Sequence, residues 1–262
     1  MSLVEVLNQY WEKWMDYADP RVASWPMMSS PLPTLGFILM YLGILYFGKI
    51  WMKNRKGYEL KGVLIIYNIF LVLLSTYMAG GIFYESIFVL KYNIICNPLR
   101  TENSEGLARV IWIFFISKLI ETLDTIIMLF RKKDDQISFL HVYHHCSVII
   151  LWWIGARFVP GGDAAFSAFQ NSFVHAVMYT YYLLSSLGIT VWWKKYITKL
   201  QMMQFFLNIL HSAIALLLPE CGDMPRWMGY GMVTYMLSLL VLFLKFYAGA
   251  YSGKKHQKPK KQ

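Results

Sequence analysis

The sequence predicts an all-α polytopic membrane protein: seven transmembrane helices, with the N-terminus in the lumen and the C-terminus in the cytosol. Three observations predict it. Of 262 residues, 57% are hydrophobic and only 15% are charged, a balance found in membrane-embedded chains rather than soluble domains. The apolar residues gather in seven long stretches, and a helix needs about 20 residues to cross a bilayer core. The loops between those stretches alternate in charge.

The first residues contain no signal peptide, because acidic and aromatic residues interrupt any apolar run. Leu3, Leu7, Trp11 and Trp14 recur at helical spacing and predict an amphipathic segment lying on the membrane. Pro20, Pro26, Pro31 and Pro33 then break the chain. Spans are expected at residues 34–52, 63–83, 109–130, 139–154, 166–187, 201–218 and 227–249. This divides the chain into a lumenal segment (1–33), a membrane domain (34–249) and a cytosolic basic tail (250–262).

Charge orients the spans. Glu5, Glu12, Asp16 and Asp19 precede the first. Basic runs follow the first (Lys53, Arg55, Lys56), the third (Arg131, Lys132, Lys133) and the fifth (Lys194, Lys195, Lys199), whereas Asp163, Glu220 and Asp223 occupy the intervening loops. Basic loops mark the cytosolic side. The net charge of +10 is thereby explained without nucleic acid. Cys96 and Cys221 fall in two lumenal loops, a compartment that permits disulfides, and are expected to pair; Cys146 lies within a span. In the tail, Lys258 and Lys260 form a dilysine-type address that returns proteins to the endoplasmic reticulum.

The chemistry should reside in polar residues inside the spans, since lipid cannot solvate them. Lys118, Glu121, Thr122 and Thr125 share a helical face, flanked by Asp124. His141, His144 and His145 open the fourth span. Asn171, His175, Met178, Tyr179, Tyr181 and Tyr182 line the fifth, and Thr198, Gln201 and Gln204 the sixth. With alternating span directions, these groups fall at the midplane or in the cytosolic half, around a cavity fed from the cytosol.

Lys118-x-x-Glu121-x-x-Asp124-Thr125, His141-x-x-His144-His145, His175-x-x-Met178-Tyr179-x-Tyr181-Tyr182 and Thr198-x-x-Gln201-x-x-Gln204 resemble, in order and spacing, the fatty-acid elongase family. Ala18-Asp19-Pro20-Arg21-Val22 extends the likeness towards the N-terminus. The resemblance implies a condensing enzyme of the endoplasmic reticulum membrane that joins a long-chain acyl-CoA to malonyl-CoA, giving a 3-ketoacyl-CoA, CO2 and CoA. It implies a seven-helix enclosure around a substrate tunnel, and no cofactor beyond the CoA thioesters. Thr122-Leu123 before Asp124, and Val142, resemble the branch acting on polyunsaturated or very-long-chain substrates.

By the same resemblance His144 is the nucleophile and His175 its partner, with His141, His145 and Asn171 orienting them. A histidine with a reference pKa near 6.5 is largely neutral at cytosolic pH and can attack a thioester or take a proton. Glu121 and Asp124 are expected to fix Lys118 and the imidazole tautomers. Arg131, Lys194 and Lys195 suit the phosphates of CoA, and Tyr181, Tyr182, Gln201 and Gln204 its pantetheine or 3'-phospho-ADP. Expected partners are membrane lipid and the other enzymes of the elongation cycle (3-ketoacyl-CoA reductase, dehydratase and enoyl-CoA reductase). Dimerisation with itself or with related elongases is left open.

Two alternatives stay open at this point. A membrane desaturase or hydroxylase would use its histidine boxes to bind two irons, and this chain has six histidines, one of them His256 in the tail. A seven-helix receptor or transporter explains the span count but not the polar cluster.

Overall fold

The computed structural model describes residues 17–251, together with residues 5, 6, 9, 12, 14 and 15. Leu3, Leu7 and Trp11 of the expected amphipathic segment, and Lys258 and Lys260 of the tail, lie outside the described residues. The chain folds into helices α1 (Leu32–Met52), α2 (Lys61–Tyr84), α3 (Glu105–Glu121), α4 (Leu123–Phe130), α5 (Phe139–Phe158), α6 (Ala164–Ser186), α7 (Lys194–Leu217) and α8 (Arg226–Tyr251). No strand occurs among the described residues.

Three features depart from the expected spans. The segment expected at 109–130 is two helices. Thr122 Oγ1 donates to Leu119 O at 2.7 Å, and its own N–H bonds the same carbonyl at 3.3 Å. A side chain that competes for a backbone carbonyl bends a helix, so α3 ends and α4 begins there. Secondly, α7 starts at Lys194, seven residues before the expected span, because lysine is a good helix former even where it is too polar for lipid. Gln201 therefore sits two turns inside the helix rather than at its entrance.

Thirdly, among the described residues five rather than seven helices are long and apolar enough to cross a membrane: Leu32–Met52, Lys61–Val89, Phe139–Phe158, Lys194–Leu217 and Arg226–Gly249. Missing are α3, which has 17 residues and carries Glu105, Arg109, Lys118 and Glu121, and α6, which carries Asn171, Ser172 and His175. Those two helices hold much of the polar set. The outward faces are apolar, with Leu39, Tyr46, Phe47, Ile66, Leu73 and Phe246 among many exposed large side chains. Patches of that extent need lipid or a partner to cover them.

The loops converge at two ends. At one, Tyr58 N donates to Phe130 O at 2.9 Å and Lys132 Nζ to Lys53 O at 3.0 Å, bringing together the basic loops after α1 and α4. At the other, Cys96 is joined to Cys221. There Asp163 accepts from Cys96 N, Asn97 N and Asn97 Nδ2 at 2.8–3.0 Å, and Asp223 accepts from Leu99 N at 3.2 Å. Gly162 and Gly222 have φ of +54° and +61°, and a Cβ on either would press against Asn97 O. Glycine alone meets both demands.

Asp19 completes the disulfide end. Its carboxylate is buried between Arg21 (2.7 Å) and Arg100 (3.1 Å), while its carbonyl accepts from Arg157 Nη1 at 2.7 Å. Burial alone would raise the Asp19 pKa, but the hydrogen bonds and charge of Arg21, helped by Arg100, outweigh it and hold the carboxyl below its ordinary range. The core between the ends is conventional, centred on Ile111, Phe114, Phe115, Ile149 and Trp152.

Candidate active site

The candidate site lies between α3, α5 and α6, at the depth where hydropathy is interrupted. Lys118, in the last turn of α3, is fully buried. Its ammonium donates to Glu121 Oε1 at 2.8 Å and, across to α6, to Asn171 Oδ1 at 2.8 Å. It also lies 4.2 Å over the Phe114 ring, a favourable place for a desolvated cation. Glu121 Oε1 is 3.3 Å from His175 Nδ1 on α6. One carboxylate oxygen thus links the cation of its own helix to the imidazole of the next.

The histidines of α5 enter from the other side. Ser138 caps that helix, its hydroxyl accepting from His141 N at 3.2 Å. The i, i+3, i+4 spacing then sets the rings edge to face about His145, with centroids 4.6 Å apart for His141 and His145 and 5.6 Å for His144 and His145. His141 Nε2 is 2.9 Å from Thr125 Oγ1, which accepts from Tyr41 Oη at 2.8 Å. His144 lies within electrostatic range of His175, Lys118 and Glu121.

Four buried polar atoms here have no partner, Glu121 Oε2, His144 Nδ1, His145 Nδ1 and Ser172 Oγ, and a fifth, His175 Nδ1, has only the 3.3 Å approach of Glu121 Oε1, without hydrogen-bond geometry. Buried polar atoms are almost always satisfied, so a cluster of exceptions marks a place that receives something else.

Asp124 belongs to a second arm. No hydrogen bond joins it to Lys118 or to a histidine among the described residues; its Oδ2 accepts from Tyr179 Oη at 2.8 Å instead. Asp124 lies beyond the break at Thr122, in the first turn of α4 rather than on α3 with Lys118 and Glu121. Tyr67 Oη donates to Ile120 O at 3.2 Å just before the break. Tyr41 and Tyr67 carry no signal in the sequence, whereas Tyr179 stands in the tyrosine-rich block after His175 without an assigned role.

The expected CoA-binding residues are dispersed over the end of α4, α6 and α7. Lys194 and Lys195 are exposed at the start of α7, and Arg131 is half-buried at the end of α4. Tyr181 packs against Tyr182 and Trp193 at 5.6 and 5.9 Å. Gln201 Nε2 reaches Met178 Sδ at 3.5 Å, and Gln204 is buried. Deeper on α7, Asn208 bonds Ser167 and Gln170, and His211 stacks on Phe166 with its Nε2 2.9 Å from Ile94 O. His211 is a sixth-span histidine satisfied by a carbonyl. Among the described residues no group of three or more His, Cys, Asp or Glu side chains has a geometry that could hold a metal ion.

The family model described as ELO: GNS1/SUR4 family matches residues 26–260. The chain belongs to the ELO family. Curated relatives share sequence with this ELO-family chain over most of its length. It is 42% identical to very long chain fatty acid elongase 4 of Mus musculus over 248 residues, covering 92% of this chain and 78% of the relative. The Homo sapiens elongase 4 is also 42% identical, over 250 residues, with 93% and 78% covered. Very long chain fatty acid elongase 5 of Tachysurus fulvidraco is 40% identical over 256 residues, with 95% and 85% covered. In ELO-family terms, the four sequence blocks fall on α3/α4, α5, α6 and α7, and the first three meet through Glu121, Thr125 and Asn171.

Proposed function

We propose that the protein lengthens very-long-chain acyl groups by two carbons, condensing an acyl-CoA with malonyl-CoA to a 3-ketoacyl-CoA, CO2 and CoA. One observation carries the reading: in a chain of the ELO family, buried imidazoles from α5 and α6 keep unpartnered nitrogens beside the Lys118–Glu121–Asn171 network. The names of the curated relatives support the substrate class.

The chemistry runs in two halves. The His144 imidazole attacks the acyl thioester, the C–S bond breaks, and the ring proton leaves with the CoA thiolate as the free thiol. Malonyl-CoA then loses CO2, and the electrons of the broken C–C bond become an enolate. Its carbon attacks the acyl-imidazole; the C–N bond breaks, and the released imidazole takes up a proton. His175, its Nδ1–H directed at Glu121, lies beside the enolate with Nε2 free to accept a proton, and Lys118 supplies fixed positive charge next to the enolate oxygen. His145 packs on the His144 ring and His141 on His145, and Asn171 holds Lys118.

We infer seven crossings, α3 and α4 together making the third, with the N-terminus in the lumen and the C-terminus in the cytosol. The membrane is that of the endoplasmic reticulum. The basic end then faces cytosolic CoA thioesters, and Arg131, Lys194 and Lys195 bind their phosphates, with Tyr181, Tyr182, Gln201 and Gln204 contacting the pantetheine arm. The acyl tunnel runs from the histidines towards the disulfide. The 3-ketoacyl product passes to a reductase, a dehydratase and an enoyl reductase.

The test is reconstituted protein supplied with long-chain acyl-CoA and labelled malonyl-CoA. Label in a chain two carbons longer, with one CO2 released per condensation, is expected. No extension by folded protein, or oxygen-dependent desaturation instead, overturns the reading. Mass spectrometry after acyl-CoA alone should find the acyl group on residue 144.

A further inference from the structure

Helix α1 buries a single stripe of side chains, Thr34, Ile38, Tyr41, Leu45 and Met52, spaced as one helical face. The stripe packs against α4 and α5, where Tyr41 shares an apolar cluster with Leu45, Leu129 and Ile137. A hydroxyl in such surroundings must find its partner inside the protein. Tyr41 Oη donates to Thr125 Oγ1 on α4 at 2.8 Å, and that oxygen is 2.9 Å from His141 Nε2 on α5. Two bonds through one buried oxygen thus join three helices, and they end on an imidazole of the candidate site.

The direction of both bonds follows from counting protons. Tyr41 and Thr125 are buried, and each hydroxyl has one proton to give. If His141 donated from Nε2, Thr125 would accept twice and its own proton would need another acceptor. Thr122, Thr180 and Thr234 give theirs to a carbonyl three or four residues back, at 2.7–2.9 Å. Thr125 makes no such bond among the described residues; its hydroxyl meets Tyr41 and His141 alone. If Thr125 donated to Tyr41 instead, the Tyr41 proton would be stranded. Only the order Tyr41 to Thr125 to His141 leaves no buried proton unused, and buried donors are rarely left unpaired. Nε2 is then an acceptor, and the ring proton of neutral His141 sits on Nδ1.

We propose that Tyr41 and Thr125 are positioning residues for the condensation: they lock His141 in the Nδ1–H tautomer and hold its ring against His145, behind His144. The proposal rests on the elongase reading and deepens it by dividing the work of the α5 histidines. With Nε2 engaged by Thr125, His141 neither attacks a thioester nor takes up a proton through that atom, and those tasks fall to His144 and His175. What His141 supplies is a fixed ring, its centroid 4.6 Å from that of His145, which lies 5.6 Å from that of His144. Tyr41 keeps the Thr125 hydroxyl on the α1 side. Without it that hydroxyl is free to turn back on its own helix, as Thr122 does, and to accept from Nε2, so that His141 changes tautomer.

The experiment reads the tautomer and the rate on the same full-length protein in phosphatidylcholine nanodiscs, its histidines labelled for nitrogen NMR. The His141 signals are those missing from the His141→Gln spectrum. Wild type should show Nδ1 protonated and Nε2 as a hydrogen-bonded acceptor. Thr125→Val should lose the hydrogen-bond shift at Nε2, and Tyr41→Phe should show both tautomers. With long-chain acyl-CoA and malonyl-CoA, each variant should lower kcat about three- to tenfold, the worth of one hydrogen bond, and leave KM unchanged. Thr125→Ser keeps the hydroxyl and should match wild type in both readouts. Wild-type His141 protonated on Nε2 overturns the proposal. So does Tyr41→Phe with an unchanged spectrum or an unchanged kcat, and so does Thr125→Ser as impaired as Thr125→Val. Wild-type protein that elongates no acyl-CoA refutes the elongase reading instead, and the spectra still decide the tautomer.

Discussion

The disulfide end and the histidine half of this molecule both bury charge, and they treat it in opposite ways. Around Asp19 nearly every polar group is answered: two guanidiniums meet the carboxylate, and a third meets its carbonyl. Asp163 accepts three N–H bonds. Of the eight buried polar side-chain atoms without a hydrogen bond among the described residues, five collect around Glu121, and one, Arg157 Nε, lies at the disulfide end. Satisfied networks rigidify a fold; half-satisfied ones are costly, and persist where a reaction needs the vacancies. The comparison separates scaffold from chemistry without reference to any ligand.

The sharpest way to break that division is to remove the reacting groups. His144→Ala and His175→Ala should each lower condensation by about two to four orders of magnitude, the range for a lost general base or nucleophile. Melting temperature should fall only by the cost of a small cavity and, for His175, of its 3.3 Å contact with Glu121, because neither ring's Nδ1 makes a hydrogen bond. A large loss of stability in either variant would show that the half is scaffold after all.

Next in size is the buried ion pair. Lys118→Met leaves Glu121 as an uncompensated buried charge and should cost about 3–5 kcal/mol, read as a fall in melting temperature in detergent. The double variant Lys118→Met, Glu121→Gln should recover most of the stability and none of the activity. Recovery of activity would move both residues out of the site.

At the other end, Cys221→Ser removes a cross-link with a sequence separation of 125 residues. The expected cost is about 2–4 kcal/mol, with the initial rate per folded molecule within about twofold of wild type, since no site residue touches the bridge. A rate collapse in fully folded Cys221→Ser would join the two regions.

The smallest effect concerns pH. The Asp19 carboxyl has its pKa lowered by folding, so the folded state binds fewer protons there than the unfolded chain. Its contribution to stability is complete above the ordinary carboxylate pKa near 3.9 and is lost as pH falls through the lower folded value. Asp19→Asn should flatten the acid limb of a melting-temperature profile; an unchanged limb would mean that Asp19 is not what makes this end acid-sensitive.

Much of the site is legible in the sequence because the groups are ionisable and the hydropathy around them is not. Lys118, Glu121 and the three histidines of α5 stand out for that reason, and helical spacing places them on shared faces. Two things escape. Lys118, Glu121, Thr122 and Thr125 read as one unbroken helical face, so nothing marks Thr122 as a break, and nothing says that Asp124 meets Tyr179 rather than Lys118. The length of α7 also escapes, because Lys194, Lys195 and Lys199 look like loop residues by polarity while helix propensity favours them. The helices least like membrane spans, α3 and α6, are the ones carrying Lys118, Glu121, Asn171 and His175. Chemistry there has been placed at the expense of the hydropathy by which a span is found.

The cystine has a topological corollary. With Cys96 ahead of α3 and Cys221 behind α7, the chain between them is a covalent ring that contains every helix bearing a candidate reacting group, while α1, α2 and α8 hang from it as tails. A protease nick anywhere inside that ring, such as in the connection ahead of Lys194, opens the circle without parting it. The cleaved protein should keep one mass until reductant is added, and only then separate into two pieces.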